Sequence, residues 1–402
     1  MTRAKSLKRS LGLPAVTFYG VGAILGAGIY VLIGKVAGAS GYFAPVSFVL
    51  AALIALFSAF SFAELGARFP RSAGVAVYID EAFKFRGLTQ LIGLLVVFTG
   101  VVSAATMATG IVGYVQLFSD LPDLFIIVLF VAVIAGVAIW GIEEASWVIT
   151  IITLLEVGGL IYVVAIASDS IVKNPISNYI SLDLLESPGV ASGIFLGGFL
   201  AFYAFIGFED MVNLAEEVKQ PEQALPKAII LALLIATALY IAVAIAALSV
   251  LSPEQLSVSK APLADVVSSQ GESASWIALV SLIAVINGAI VQMIMASRII
   301  YGMAAEGLLI KGLATINTVT LTPIRATLLC ALVTVLLALI FPLTSLAQAT
   351  SLVILAVFAM VNIALIKVNR TFPASATVHY SNWVPYMGAL LCLAMILSRI
   401  II

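Results

Sequence analysis

Charge is what this chain has least of. Only 10% of its 402 residues are Asp, Glu, Lys or Arg, while 63% are hydrophobic and mean hydropathy is +1.20. A soluble globular chain carries about 25% charge, so that balance excludes one and points to an integral membrane protein. Net charge is −1, and there is no basic patch or Cys/His cluster, which removes nucleic acid and zinc from consideration. The two cysteines, Cys330 and Cys392, sit inside apolar runs and read as small core residues rather than a disulfide. The one histidine, His379, falls in a polar loop and reads as a surface group. A nucleotide-binding P-loop is missing, which argues against ATP-driven pumping, and no His-Glu-x-x-His or nucleophile–base arrangement marks a membrane enzyme. A channel would need a repeated filter sequence or a ring-forming acidic span, and neither is present.

What is present is a series of apolar runs long enough to cross a bilayer. They fall at 13–36, 43–66, 88–118, 122–140, 146–168, 192–214, 227–250, 274–304, 323–341, 345–366 and 384–402. They are longer than barrel strands and lack period-two alternation, so they predict helices. The basic start, MTRAKSLKRS, lacks a small-residue cleavage site and reads as a retained cytoplasmic segment. With that end inside, fifteen of the nineteen Lys and Arg residues fall on the cytoplasmic side. Only Lys35, Lys173, Lys260 and Arg399 fall outside, and that excess sets the orientation, with the C-terminus extracytoplasmic. The expected architecture is all-α and integral to the cytoplasmic membrane, residues 1–402 forming one transport domain of 11 spans. Residues 13–168 would form one five-helix repeat, 192–366 a second, inverted one, and 384–402 an accessory helix.

The first span has the oddest composition. LPAVTFYGVGAILGAGIYVLIGKV carries no charge before Lys35, yet Gly20, Gly22, Gly26 and Gly28 interrupt its middle. Glycine weakens a helix, and broken backbone at membrane depth is tolerated only against protein or a water-filled site. Close helix packing through small residues is the plainer alternative. The oddity recurs in LGGFLAFYAFIGFEDMVNLAEE, centred on Gly207. Paired interruptions in two halves of a membrane protein point to a substrate site where they meet. Freed N–H groups around Leu25, Gly26, Ala27, Gly28 and Ile29 would take a carboxylate without any arginine, with Ile24 beside them in the candidate substrate site. Free carbonyls around Phe205, Ile206 and Gly207 would take an ammonium group. An amino acid has that polarity. Phe205 and Phe208 are candidate hydrophobic gates or ordinary packing aromatics, and Thr106 and Thr109 candidate cavity-lining groups.

Two acids stand at membrane depth. Glu156 lies mid-span in ITIITLLEVGGLIYVVAIA, where an ionisable group is expensive and therefore a functional candidate. Proton coupling, structural bonding and cation coordination all remain open for it. Glu209 follows the second break directly and is the other candidate coupling acid. Nearer the inner surface, Glu216 and Glu217 are candidates to pair with Arg68 or Arg71 as a gate, and the aromatic-bearing segment after the Pro-Arg-Ser-x-Gly turn reads as a short amphipathic helix. Asn287, Gln292 and Ser297 put polar groups into an otherwise apolar span.

Several phrases together carry a family resemblance. Gly22-Ala23-Ile24-Leu25-Gly26-Ala27-Gly28-Ile29-Tyr30 resembles the first-helix signature of the amino acid–polyamine–organocation (APC) permeases. Phe62, Glu64, Leu65, Pro70, Gly74 and Tyr78 are similar to the second-helix pattern of that family. Phe205-Ile206-Gly207-Phe208-Glu209 with Ala215-Glu216-Glu217-Val218-Lys219-Gln220-Pro221 resembles its cationic amino acid transporter branch. The resemblance implies the leucine-transporter-like five-plus-five inverted repeat with broken helices 1 and 6. It also implies alternating-access transport of an amino acid, with carboxylate on span 1 amides and amino group on carbonyls of spans 1 and 6. Many relatives carry a lysine where Thr153-Leu154-Leu155-Glu156 here puts an acid. The expected function is a non-enzymatic secondary transporter of amino acids or related amines, with the proton as coupling ion and sodium still open. An exchanger without net ion coupling is the alternative, ahead of a polyamine carrier, a nutrient sensor or a channel. The expected partners are the substrate and the lipid bilayer, with no cofactor or metal, and a monomer is compatible with the sequence.

Overall fold

The computed structural model describes residues 9–26, 28–71, 74–141, 146–180, 188–371 and 378–401. The first half runs α1 (Leu13–Leu25), α2 (Gly28–Ser40), α3 (Ala44–Arg68), α4 (Gly74–Phe83), α5 (Arg86–Gly110), α6 (Val112–Gln116), α7 (Asp123–Trp140), α8 (Ser146–Ile166) and α9 (Ser168–Lys173). The second runs α10 (Pro188–Phe202), α11 (Pro221–Val250), α12 (Pro253–Val258), α13 (Pro262–Ser269), α14 (Ser275–Ala305), α15 (Ile324–Ile340), α16 (Leu343–Thr371) and α17 (Trp383–Ile401). Among the described residues, β-pairing amounts to one parallel bridge between Leu11 and Val218. Helix predominates because lipid offers the backbone no partners, so each span satisfies its own N–H and C=O groups.

Seven helical stretches among the described residues are long and apolar enough to cross a membrane, or eight if Thr150–Ile166 and Ser168–Asn178, bent by 46°, count as one. Leu13–Leu25, Ile324–Ile340 and Trp383–Arg399 are shorter apolar helices. The difference from eleven apolar sequence runs has a geometric reason. Gly28–Arg68 counts as one stretch of 41 residues, although Gly41 turns there with φ +58. The shorter helices fall below the roughly 20 residues a bilayer core requires. The chain is an all-α, multi-pass membrane protein.

The outer faces show where lipid lies. Leu328, Leu332 and Leu336 of α15 are exposed one turn apart, as are Leu390, Leu393 and Leu397 of α17 and Phe125, Leu129 and Val133 of α7. Such apolar stripes are untenable in water and expected against acyl chains. Inside, α3 packs on α11, α5 on α14 and α16, α10 on both α2 and α3, and α1 on α8 and α11. Polar side chains help to join α3 to α16. Ser61 donates to Asn362 Oδ1 at 2.6 Å, and Asn362 Nδ2 donates to Ser58 at 3.0 Å. Helices gain no hydrophobic drive from separating out of lipid, so such bonds and close packing hold them together. Cys330 and Cys392 are free and buried, and α4 turns Tyr78, Ile79 and Ala82 inward.

Candidate functional site

Two interruptions define the centre. The helix α1 ends where Gly26 leaves helical space (φ 2, ψ −131), and α2 begins at Gly28. The first N–H groups of α2 have no acceptors one turn back within their own helix and carry the positive end of its dipole. The helix α10 gives way to a 3-10 turn, Tyr203–Phe205, then extended Ile206, then Gly207 at φ +126. Only glycine adopts that backbone cheaply. A 3-10 helix, Phe208–Leu214, carries the chain on.

The two breaks touch each other reciprocally. A Cβ on Gly207 would collide with the Ala23 carbonyl oxygen, and one on Gly28 with Cα of Ala204. Tyr240 of α11 adds a polar tie, its hydroxyl lying 2.7 Å from the Ile24 carbonyl and 2.8 Å from that of Ala204. A tyrosine hydroxyl carries one proton, so the two carbonyls share it. Tyr114 donates to the Tyr30 carbonyl at 2.6 Å, and Tyr30 in turn to the Glu156 carbonyl at 2.7 Å. That chain joins α6, α2 and α8.

Between the breaks, α5 and α14 lies a cavity of about 440 Å³ of atom-free space, part of it open to solvent. The first break contributes Gly22, Ala23, Ile24, Gly26 and Gly28, and the second Tyr203, Ile206 and Asp210. Ser103 and Met107 reach it from α5, and Asn287, Gly288, Val291 and Gln292 from α14. Ser103 and Tyr203 share a hydrogen bond of 2.8 Å between their hydroxyls. None of the described lining residues is Lys, Arg or His. Positive potential therefore comes from backbone, while hydroxyls, amides and one carboxylate supply the rest.

Three acids are buried at this depth. Glu156 is fully buried, its Oε1 a long 3.5 Å from Asn287 Nδ2, while its Oε2 has no hydrogen-bond partner among the described residues. Glu209 Oε2 accepts the Gly207 N–H at 2.8 Å, bracing the second break. Asp210 is the acid that lines the cavity.

Of the residues singled out in the sequence, Gly22, Ile24, Gly26, Gly28, Ile206, Asn287 and Gln292 line the cavity. Leu25, Phe205 and Phe208 are fully buried in packing instead: Phe205 meets the Tyr240 ring at 5.2 Å, and Phe208 meets Phe62 and Phe358 at 5.6 and 5.1 Å. Thr106 donates to the Val102 carbonyl and Thr109 to those of Ala105 and Thr106, so both hydroxyls donate within their own helix rather than into the cavity. Ala27 lies outside the described residues. Arg68 pairs with Glu64 at 2.5 Å, and Glu64 also meets His379 Nδ1 and the Tyr380 N–H, each at 3.0 Å. Arg71 lies 3.7 Å from Glu81. The Glu217 carbonyl accepts the N–H groups of Ser10 and Leu11, strapping the segment before α1 to the one after the second break. The sequence reading did not single out Ser103, Met107, Tyr203, Tyr240 or Gly288. The two tyrosines carried the best signal, since a phenol in an apolar span needs a partner for its hydroxyl.

A multi-pass helical bundle with interrupted helices meeting at a shared cavity is the architecture of a membrane carrier. Residues 11–402 match the family described as Amino acid permease, and the chain belongs to that family, within the APC superfamily. Its activity is therefore movement of amino acids or related solutes across a membrane, not catalysis. It is similar to the Branched-chain amino acid permease BcaP of Bacillus subtilis (strain 168), 29% identical over 98% of this chain and 89% of that one. The Cationic amino acid transporter 3, mitochondrial, of Arabidopsis thaliana is 30% identical over 92% of this chain and 64% of its own length. The Methylthioribose transporter of Bacillus subtilis (strain 168) is 27% identical over 98% of this chain and 88% of that protein. The chain thus spans about nine-tenths of these bacterial relatives and less than two-thirds of the plant one.

Proposed function

We propose that the protein is a proton-coupled amino acid carrier working by alternating access, with eleven spans, a cytoplasmic N-terminus and an extracytoplasmic C-terminus. Residues 13–168 and 192–366 act as two inverted five-helix repeats, and 384–402 as a peripheral helix. One observation carries the reading: both helix breaks meet at a single cavity whose described lining has no basic side chain. The substrate carboxylate sits on the N–H groups opening α2, where the dipole favours an anion. Its ammonium group sits on carbonyls of the two breaks, which Tyr240 holds in register. Glu156 takes up and releases the proton. Its unpartnered Oε2 supports that role over a structural one, because a purely structural carboxyl would have both oxygens engaged. Glu209 follows the movement of the second break through its bond to Gly207. Arg68, Arg71, Glu216 and Glu217 belong to the cytoplasmic rim that opens and closes.

Uptake of radiolabelled amino acids into proteoliposomes, with proton and sodium gradients imposed separately, tests this directly. Accumulation should follow the proton gradient. Accumulation driven by sodium alone, or equilibration indifferent to both, would overturn the coupling.

A further inference from the structure

A second cavity opens toward the end of the bundle where α10 and α16 begin and α17 finishes. It holds about 400 Å³ of atom-free space, part of it open, and shares no lining residue with the cavity at the helix breaks. Its walls are Phe195, Leu196 and Phe199 of α10, Gln348 of α16, and Ser398 and Arg399 of α17. The three helices pack on one another beneath it, and a Cβ on Gly198 would stand 3.1 Å from the methyl carbon of Met395. The groove is therefore a wedge with a closed floor. Its depth in the bilayer follows from α17. The lipid-facing stripe of Leu390, Leu393 and Leu397 runs up to Ser398 and Arg399, so the guanidinium stands where acyl chains give way to headgroups.

Arg399 donates to Gln348 Oε1 at 3.0 Å, and no carboxylate pairs with it among the described residues. A guanidinium has five N–H donors in a planar fork, so one bond to a neutral amide orients it and leaves its charge unmatched. A phosphodiester fits that fork bidentately. Ser398 spends its own proton on the Met395 carbonyl at 2.8 Å and keeps lone pairs for an incoming hydroxyl. Phe195, Leu196 and Phe199 offer nothing polar and suit a hydrocarbon chain. We propose that this groove binds one anionic phospholipid with a hydroxylated headgroup, its phosphate on Arg399 and an acyl chain along Phe195, Leu196 and Phe199. A soluble phosphate would use Arg399 and leave the phenyl wall uncovered. A zwitterionic lipid brings its own cation to the phosphate and gains less from the guanidinium. The bound lipid joins α16 and α17 to α10, the helix that leads into the second break. This site is separate from the substrate cavity and holds its lipid whichever solute the carrier moves.

The test is native mass spectrometry of the full-length protein in detergent, titrated with phosphatidylglycerol or with phosphatidylcholine carrying the same acyl chains. The first phosphatidylglycerol should bind at least fivefold more tightly than the first phosphatidylcholine. Arg399→Gln should bring the two within twofold of each other. Lys173→Gln, which removes a 74% exposed basic side chain elsewhere, should keep the preference. Added phosphatidylglycerol should also raise the unfolding temperature of the wild type and leave that of Arg399→Gln unchanged. Equal affinities in the wild type, or a preference that survives Arg399→Gln, would overturn the proposal. Glycerol 3-phosphate, which has the phosphate without acyl chains, should not displace the lipid at tenfold excess. Displacement would reassign the groove to a soluble anion and equally overturn it. Where Arg399→Gln does not fold, the wild-type ratio and the glycerol 3-phosphate competition decide.

Discussion

Gly207 rests against the carbonyl oxygen of Ala23, so closely that no other side chain fits between them. This contact brings the two broken helices to one point and places the cavity beside it. Gly207→Ala would force φ +126 on a residue with a Cβ and drive that carbon into the Ala23 carbonyl. Backbone strain of this kind costs about 1–3 kcal/mol before any collision is counted. Counterflow should fall by more than tenfold, with a lower unfolding temperature in detergent. Gly302→Ala is the control: its Cβ meets open space on α14 and improves helix propensity by up to about 1 kcal/mol. Activity and stability should be retained there.

Tyr240→Phe keeps the ring contact with Phe205 and removes the hydroxyl that reaches Ile24 and Ala204. Leaving a buried polar group unmatched costs about 1–3 kcal/mol. Differential scanning fluorimetry should show that loss. Substrate affinity should weaken with it, because the carbonyls of both breaks lose their common tie.

Glu156→Gln keeps the shape of the side chain and removes its exchangeable proton. Gradient-driven accumulation should disappear while amino acid exchange persists at close to the wild-type rate. The measurement is paired uptake and counterflow on one preparation. Loss of both from a folded protein would assign Glu156 an architectural role.

At the end of α3, Glu64 accepts from Arg68, His379 and the Tyr380 backbone with a side chain only 1% exposed. Removing one member of a buried ion pair costs about 3–5 kcal/mol, because the partner charge stays buried. Glu64→Gln should therefore destabilise far more than Glu81→Gln. Glu81 pairs with exposed Lys84 and Arg71 from a 23% exposed side chain, and such pairs contribute about 0–1 kcal/mol. Thermal unfolding of the two variants in the same detergent gives the ranking.

The helix breaks were legible because their chemical cause is local. Gly26, Gly28 and Gly207 are the residues a broken, closely approached backbone demands, and they stand out in apolar runs. The walls of the cavity were less legible, since they depend on helix rotation and depth. Thr106 and Thr109 stand near Ser103 on α5, all three have hydroxyls, and sequence does not say which one is level with the break. Only Ser103 lines the cavity. Phe205 and Phe208 look like gates by position but are packed into aromatic clusters with Tyr240, Phe62 and Phe358. The Arg68–Glu64 pair is within one helical turn and visible in sequence, whereas His379 and Tyr380 join it from more than 300 residues away.

The most direct test of the account is a structure of the full chain with a bound amino acid in a lipid environment. The account predicts the ligand carboxylate within hydrogen-bonding distance of the N–H groups opening α2 and its ammonium on carbonyls beside Gly26 or Ile206. A ligand seated away from both interruptions, or α1 and α2 joined as one unbroken helix in the bound state, would contradict it.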